Sequence, residues 1–290
     1  MNSYLLKTFI FVSLHCIAIP STAFLQKIYP VMQQPSDSSE EQTRDDPERF
    51  ETYLYLVHYY EQFKDPYKLN WHLTSLQAKL KSKQITYMGY LNYGQRFYET
   101  TGFFEKLDLQ YRFDVYPMLG EHNYAYLSYG YSESHLFPTH QARGVLYHQF
   151  GKGFETSLGL YYMKWEKTFL IYTGSFAKYY QDYWFSLRPY FQFHNGTLYQ
   201  SYLFFARRYF ETPDDFLNLM LGYGSSPEDQ ALLFDYNEIY SLESYHVQVN
   251  LQQSIDQWII IAGLGFRFEE YSEQEFRNRL RMELGVSYKF

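Results

Sequence analysis

The chain has 290 residues and a formal net charge of −7, and its 34 Tyr and 26 Phe stand beside a polar mean hydropathy of −0.45. The negative charge argues against a nucleic-acid partner, and beyond the N-terminus no apolar run reaches the roughly 18 residues that a transmembrane helix needs. Many aromatic residues without a long apolar run are expected for strands that face lipid on one side only, because polar and apolar residues alternate along them.

Residues 1–23 read as a secretory signal peptide. Lys7 is its basic residue, an apolar stretch follows, and Ala23 ends a cleavage site of small residues. A transmembrane anchor fits less well, because the apolar part is short and Pro20 interrupts it. The only cysteine, Cys16, lies in this segment. We therefore expect the secreted chain to have no disulfide, no thiol nucleophile and no thiolate metal site.

Residues 24–49 are acidic and lack periodicity, which predicts a flexible periplasmic linker rather than a binding segment. Residues 50–290 then alternate strand after strand and form the barrel domain. The predicted strands are 50–63, 70–82, 84–97, 104–116, 123–132, 140–150, 153–165, 168–179, 182–194, 197–210, 214–223, 243–254, 257–268 and 278–290. This pattern predicts an all-β fold, a transmembrane antiparallel up-and-down β-barrel of about fourteen strands, because about 9–11 residues of a tilted strand cross a membrane. Twelve strands are the alternative, since the boundaries in the first third are weak.

The last fourteen residues show the alternation most clearly. A mostly apolar face opposes a face of charged and small residues: Asn278, Leu280, Met282, Leu284, Val286, Tyr288 and Phe290 against Arg277, Arg279, Arg281, Glu283, Gly285, Ser287 and Lys289. A half-buried strand of a soluble sheet shows this pattern too, but outer-membrane barrels commonly end on such a strand, with lipid on one face and the lumen on the other. We expect the barrel-assembly machinery to recognise the terminal Phe290. Residues 107–115, 183–194 and 245–252 alternate similarly.

The connections between strands differ in length. With both termini in the periplasm, residues 224–242 and 269–276 are expected outside the cell, and most periplasmic turns are short, apart from residues 116–123. Pro189 lies inside a strongly patterned strand. Because proline lacks a backbone donor, we predict a local bulge there.

Several short segments together resemble a known family: Leu136-Phe137-Pro138, Ile171-Tyr172-Thr173-Gly174-Ser175, Lys178-Tyr179, Tyr183-Trp184, Ser186-Leu187-Arg188-Pro189-Tyr190, Arg207-Arg208-Tyr209-Phe210 and Gly222-Tyr223-Gly224-Ser225-Ser226-Pro227. Through these segments, residues 50–290 resemble the YaiO-type outer-membrane β-barrel domain. The resemblance implies an outer-membrane barrel and supplies no catalytic residues. Some members carry helical repeats before the barrel, whereas the short linker here argues against a periplasmic scaffold role.

The first candidate site is a basic wall of the lumen. It comprises Arg112, Arg188, Arg208 (taken in preference to Arg207), Arg267, Arg277, Arg279 and Arg281, with Lys289 at the chain end. Arginine binds carboxylates and phosphates through a rigid fork of donors, so one interpretation is a constriction that selects anionic solutes or acidic glycans. The interpretation that we favour is an ion-pair lattice that fills the lumen, because charges removed from water need partners. Its expected acidic members are Asp108, Asp114, Glu155 and Glu283.

The second candidate site is an aromatic lumen surface at Trp184 and Tyr190, with Tyr161 and Tyr129, on which sugar rings could stack. The competing interpretation is that these residues belong to the aromatic girdles at the membrane interfaces, which is the commoner role for tyrosine in a barrel.

A hydrolase or acyltransferase would need a nucleophile within reach of a base. The available combinations are Ser132 or Ser134 with His135 or His140, and Ser244 with His246. No Gly-x-Ser-x-Gly elbow surrounds any of them. We predict that the protein is not an enzyme and has no cofactor and no metal site.

The sequence thus predicts a barrel in the outer membrane of a Gram-negative cell, in contact with outer-membrane lipid. The leading function is a channel or an export or binding barrel for a solute or glycan. The alternative is a plugged structural or interaction barrel of the cell envelope, and a lipid-modifying enzyme comes third.

Overall fold

A computed structural model describes residues 50–64, 68–99, 101–104, 107–134, 136–165, 168–194, 197–224, 243–272 and 275–290. The predicted signal peptide and linker lie outside these residues. Among the described residues, no helix has the length and apolar character needed to cross a membrane.

Fourteen antiparallel strands build the fold. In chain order they are β1 Glu51–Phe63, β2 Leu69–Lys81, β3 Ile85–Tyr98, β4 Asp108–Pro117, β5 Asn123–Tyr131, β6 His140–Phe150, β7 Phe154–Lys164, β8 Thr168–Tyr180, β9 Tyr183–His194, β10 Thr197–Tyr209, β11 Phe216–Gly224, β12 Ser244–Ile255, β13 Trp258–Ser272 and β14 Glu275–Lys289. A two-residue strand, Phe103–Phe104, also pairs with the end of β3. The turn between β6 and β7 is the 3₁₀ segment Gly151–Gly153.

Each strand pairs with its neighbours in sequence, and β1 also pairs with β14, from Tyr53 opposite Lys289 to Phe63 opposite Arg279. The sheet therefore closes into a barrel without free edges. The prediction of fourteen strands is confirmed, and the alternative of twelve is wrong. The last hairpin is longer than predicted, because β13 continues to Ser272 and β14 begins at Glu275. Charged residues that read as a loop belong to these strands, where Glu269 lies opposite Arg277.

The first described residues of β1 and the last residue, Phe290, lie at one rim of the barrel, where the Phe290 N–H donates to the Thr52 carbonyl. We call this the terminal rim, and the opposite one the distal rim. Two-residue turns at 181–182 and 256–257 join strands at the terminal rim, where Gln181 and Asp256 adopt positive φ angles of 52° and 54°. The longest stretch of sequence between two strands joins Gly224 to Ser244, and both of these strand ends lie at the distal rim. Long connections at one rim and mostly short ones at the other match the asymmetry predicted from the sequence.

Outward and inward side chains alternate along the strands. Leu158 and Leu284 on the outer face are 76% and 67% exposed, whereas Arg267 on the inner face is 0% exposed. The faces predicted for residues 107–115, 183–194, 245–252 and 277–290 agree with the described side chains. The outer surface is thus an apolar band suited to lipid contact, and the polar half of each strand is enclosed.

Pro189 interrupts the pairing of β9 with β8 without producing a bulge. Leu187 lies opposite Phe176 and Tyr190 lies opposite Thr173, so the register is unchanged across the interruption. The Thr173 hydroxyl donates to the Pro189 carbonyl at 2.8 Å. The predicted bulge is therefore wrong. A gap in one ladder and a side-chain hydrogen bond accommodate the missing backbone donor instead.

The interior of the barrel is packed with side chains. The larger of two buried apolar clusters extends along the inner wall from β3 to β11 and is rich in tyrosine, with Tyr90, Tyr116 and Tyr126 among its members. The smaller cluster is centred on β1 and includes Leu136 and Phe137 from the β5–β6 connection. Most inward side chains at mid-height are buried, so side chains rather than a wide aqueous bore occupy this part of the lumen.

Candidate functional site: the barrel lumen

The basic wall predicted on β14 is an ion-pair lattice that crosses the seam between β14 and β1. Arg279 Nη2 donates to Glu61 Oε2 at 2.6 Å, and Arg281 Nη1 donates to Glu61 Oε1 at 2.9 Å. The side chains of all three residues are at most 5% exposed. One carboxylate therefore neutralises part of the charge of two arginines in a site removed from water.

A second carboxylate continues the lattice on β13. Glu269 Oε1 accepts from Arg277 Nε at 2.6 Å, and Glu269 Oε2 accepts from Arg267 Nη1 at 3.2 Å and lies 3.6 Å from Arg279 Nη1. The ring of Phe63 packs against Arg279, with its centre 4.0 Å from the guanidinium carbon. Four arginines thus share two glutamates.

The acidic partners only partly match the predicted ones. Asp114 pairs with Arg112 at 3.1 Å, as expected. The other three expected acids accept hydrogen bonds from uncharged groups: Asp108 Oδ2 from the backbone of Leu136, Glu155 from Tyr124, and Glu283 from Asn250. The main partners, Glu61 and Glu269, were missed. Glu61 is far from the arginines in sequence, and Glu269 read as part of a loop.

Arg188 faces the lumen, where its guanidinium donates to Tyr147 and Ser175 at 3.3 Å each. The prediction for Arg208 is wrong, because Arg208 lies on the outer face of β10, near the ring of Tyr183. The inward residue is Arg207, which is 4% exposed. Along β10 the side chains of residues 201, 203, 205 and 207 are buried. Because side chains alternate along a strand, residue 208 faces outward.

The predicted aromatic surface is largely core. Trp184 and Tyr190 point inward, but each is only 2% exposed, and Tyr161 packs beside Tyr190 with 6.1 Å between ring centres. Tyr129 faces outward, is 52% exposed, and hydrogen-bonds with His140 at 2.9 Å. Placing Tyr129 in the lumen was therefore wrong, and the rings of Trp184, Tyr190 and Tyr161 are too buried for a sugar to slide along them.

A segment of the β5–β6 connection folds into the distal mouth. Leu136 and Phe137 are 2% and 4% exposed, and the backbone N–H of Leu136 donates to Asp108 Oδ2 at 3.3 Å. A Cβ atom at Gly94 on β3 would lie 2.8 Å from the Phe137 ring, so only glycine leaves room for it. We call residues 136–138 the distal insert. It narrows the mouth from which a ligand would enter.

Beside the distal insert lies a cavity of about 80 Å³, which we call the distal vestibule. Its walls come from strands on several sides of the barrel, and its lining includes Tyr59, Glu61, Trp71, Gln110, Gln141, Arg143, Trp165 and Arg281 as well as the distal insert. Aromatic faces, amides and two guanidinium groups therefore converge on one space. Of these residues, only Arg281 had been singled out from the sequence.

The turn between β10 and β11 covers part of the terminal mouth. Asp215 accepts hydrogen bonds from the backbone of Ser254 and the hydroxyl of Thr212, at 2.5 and 2.8 Å. Burial raises the pKa of the Asp215 carboxyl, but these hydrogen bonds lower it by more, so its pKa lies below the ordinary value. A cavity of about 290 Å³ lies beside this turn, lined by charged residues that include Lys81, Asp214 and Lys289.

The serine and histidine combinations form no nucleophile–base pair among the described residues. Ser132 and Ser134 hydrogen-bond to each other, Ser244 donates to the carbonyl of Gly224, and His246 lies against Gly222. His135 lies outside the described residues. No group of three His, Cys, Asp or Glu side chains in the described part of the chain is arranged to hold a metal ion. The absence of enzymatic activity stays a prediction.

Two solved structures align with most of this chain. The crystal structure of OpdQ from Pseudomonas aeruginosa aligns with 85% of this chain and 99% of its own, at 8% identity and a TM-score of 0.48. That of OccAB3 from Acinetobacter baumannii aligns with 83% of this chain and 99% of its own, at 10% identity and a TM-score of 0.48. No curated protein matches the sequence. The family described as the YaiO membrane β-barrel domain matches residues 51–229, more than half of the chain. The chain therefore belongs to the YaiO membrane β-barrel family.

Proposed function

We propose that the protein is an outer-membrane channel for a small solute, closed at rest by its own side chains. The observation that carries this proposal is the pair of segments that fold over opposite mouths, the distal insert and the turn at residues 212–215. A barrel of fourteen strands has a circumference between those of packed eight-stranded barrels and open porins. Closure of such a barrel therefore depends on what folds into it.

A chain of hydrogen-bonded polar side chains begins at Gln110 in the wall of the distal vestibule and continues to Gln77, nearer the terminal rim. Gln77 donates to Ser75, Ser75 to Asn92, and Asn92 to Gln110, at 3.0, 2.6 and 3.0 Å. This chain of hydrogen bonds runs around the wall of β2, β3 and β4, and the two buried apolar clusters remain separate from each other. A polar solute can replace these side-chain hydrogen bonds one by one as it moves, whereas the apolar clusters offer it no hydrogen bonds.

Size limits the cargo. The terminal cavity of about 290 Å³ lies just below the range for small-molecule sites, roughly 300–1,000 Å³, and the distal one is smaller. These spaces suit one small solute rather than a glycan chain. With the chain termini in the periplasm, the distal vestibule faces outward, so we place entry from the outside at that mouth.

Conductance in planar lipid bilayers tests the proposal. The wild-type barrel should be closed most of the time, and a variant with Leu136→Gly and Phe137→Gly should open far more often, because it removes the buried side chains of the distal insert. A matched variant, Leu158→Gly, changes an equally large residue on the lipid face and should leave conductance unchanged. If the double variant folds, as shown by slower gel migration after boiling, and stays silent, the channel proposal fails.

One observation favours a second candidate, a permanently plugged structural barrel. The larger buried cluster contains seventeen residues and lies below the distal insert. If that cluster is rigid, removing the insert opens nothing. The silent outcome of the bilayer experiment would then support this candidate directly.

A further inference from the structure

The distal vestibule contains buried hydrogen-bond donors that no group in the described part of the chain satisfies. They are Trp71 Nε1, Gln141 Nε2 and Arg281 Nε. Gln141 and Arg281 are 2% and 3% exposed, and all three residues line the cavity. A buried donor without an acceptor loses its bonds to water and gains nothing in return, so three such donors around one cavity call for an explanation.

Three acceptor oxygens of the vestibule are already engaged. Both oxygens of Glu61 accept from arginine, one from Arg279 and one from Arg281. Gln110 Oε1 accepts from Asn92 at 3.0 Å. Arg143 and Arg281 contribute two guanidinium groups to the lining, and Glu61 contributes a carboxylate. The three unsatisfied donors therefore suit a ligand group with several acceptor oxygens, such as a carboxylate.

The remaining lining selects the shape of that anion. Trp71, Trp165 and Tyr59 supply flat aromatic surface, and Gln110 and Gln141 supply amides next to it. An aromatic face packs against the C–H face of a sugar ring, and amides hydrogen-bond to its hydroxyl groups. An inorganic anion would use the donors and leave the rings uncovered. An aromatic acid would cover the rings and leave the amides unused.

We propose that the distal vestibule binds an acidic sugar of hexuronate type through its carboxylate. The carboxylate accepts from Arg281, Gln141 and Trp71, and the sugar ring lies against the aromatic residues. A volume of about 80 Å³ admits the carboxylate and the atoms next to it, and the ring takes space that the distal insert now fills. Binding thus favours withdrawal of the insert. This last step rests on the proposed channel, whereas binding itself does not.

Titration of the refolded full-length barrel in detergent micelles with sodium glucuronate tests the inference, with calorimetry and tryptophan fluorescence as readouts. Saturable binding is expected, at least ten-fold tighter than for glucose, which lacks the carboxylate, and for benzoate, which lacks the hydroxyls. Trp71→Phe and Gln141→Leu should each weaken binding at least ten-fold, because each removes one donor. Trp258→Phe is the matched control, since Trp258 lies on the outer face and is 50% exposed.

Each outcome decides the question. Equal binding of glucose and glucuronate, or unchanged binding by folded Trp71→Phe and Gln141→Leu variants, overturns the inference. Benzoate binding as tightly as glucuronate overturns the sugar assignment. Glucuronate binding by a barrel that never conducts sinks the channel alone, and a conducting barrel that ignores glucuronate sinks the binding site alone.

Discussion

Two glutamates on β1 pair with cations on β14 in very different surroundings, and they allow the closed lumen to be tested. Glu61 bonds with Arg279 and Arg281 where its side chain is 5% exposed. Glu51 bonds with Lys289 at 2.9 Å on the same seam, where both side chains are 42% exposed. Glu61→Gln and Glu51→Gln remove the same charge from the same strand pair. They differ in the depth at which the charge is lost.

The expected magnitudes follow from that depth. Glu61→Gln leaves two buried guanidinium groups short of a counter-charge, and breaking a buried pair by removing one partner costs about 3–5 kcal/mol. An exposed pair such as Glu51 with Lys289 contributes about 0–1 kcal/mol. At an ionic strength of 0.1 M the Debye length is about 10 Å, so added salt should reduce the cost of Glu51→Gln and leave that of Glu61→Gln nearly unchanged.

Reversible urea unfolding from lipid vesicles, followed by tryptophan fluorescence, measures both free energies of unfolding. Gel mobility before and after boiling confirms that each variant forms the barrel. A cost of less than about 1 kcal/mol for Glu61→Gln, equal to that of Glu51→Gln and equally reduced by salt, would mean that water fills the lumen beside Glu61. The closed-lumen reasoning would then be wrong, together with the account of the distal vestibule that depends on it.

Two further predictions concern the outer face and the terminal mouth. Leu158→Arg places a charge near the middle of the lipid-facing band and should lower the free energy of unfolding in vesicles by about 2–4 kcal/mol. Leu158→Met is its control. If both variants lower the free energy of unfolding by the same small amount, this face does not contact lipid. Asp215→Asn should destabilise the protein at pH 7. The difference from wild type should begin to shrink as the pH falls below the ordinary aspartate pKa of about 3.9 and should vanish only below the lowered pKa of the folded state, because the folded carboxyl stays ionised down to that pH. Urea midpoints at pH 7 and in acid measure this, and a difference that grows in acid would contradict the sign.

The alternation of side chains could be predicted from sequence because it is local. A strand repeats every two residues, so the faces of β14 follow from residues 277–290 without knowledge of any neighbour. The same reasoning correctly placed Arg112, Arg188 and Trp184 inside. It failed at Arg207 and Arg208. Two adjacent arginines give no sign of which one faces the lumen and which one faces outward. A shift of one residue moves every side chain of a strand to the opposite face.

Partners across the barrel could not be predicted, because they depend on closure and register rather than on spacing. Glu61 and Arg279 are 218 positions apart in the sequence and meet only because β1 closes against β14. Trp71 and Gln141 come together in the same way, from β2 and β6. One signal was available for the distal insert: an apolar Leu-Phe-Pro within a polar connection is unlike a solvated loop. It was used only as part of a family resemblance.

The placement of the ion pairs indicates which part of the lumen can move. The Glu61 lattice joins β1 to β14, so the contacts that fill the distal lumen also close the barrel, and opening a path by breaking them would weaken the seam. The distal insert lies outside the strand ladders, and its Leu136 N–H donates to Asp108 on the wall at 3.3 Å. Withdrawal of the insert therefore costs mainly the burial of Leu136 and Phe137, roughly 1.5–3 kcal/mol for each side chain. A ligand that occupies the donors of the vestibule can offset a cost of that size, and the seam stays intact while it does so.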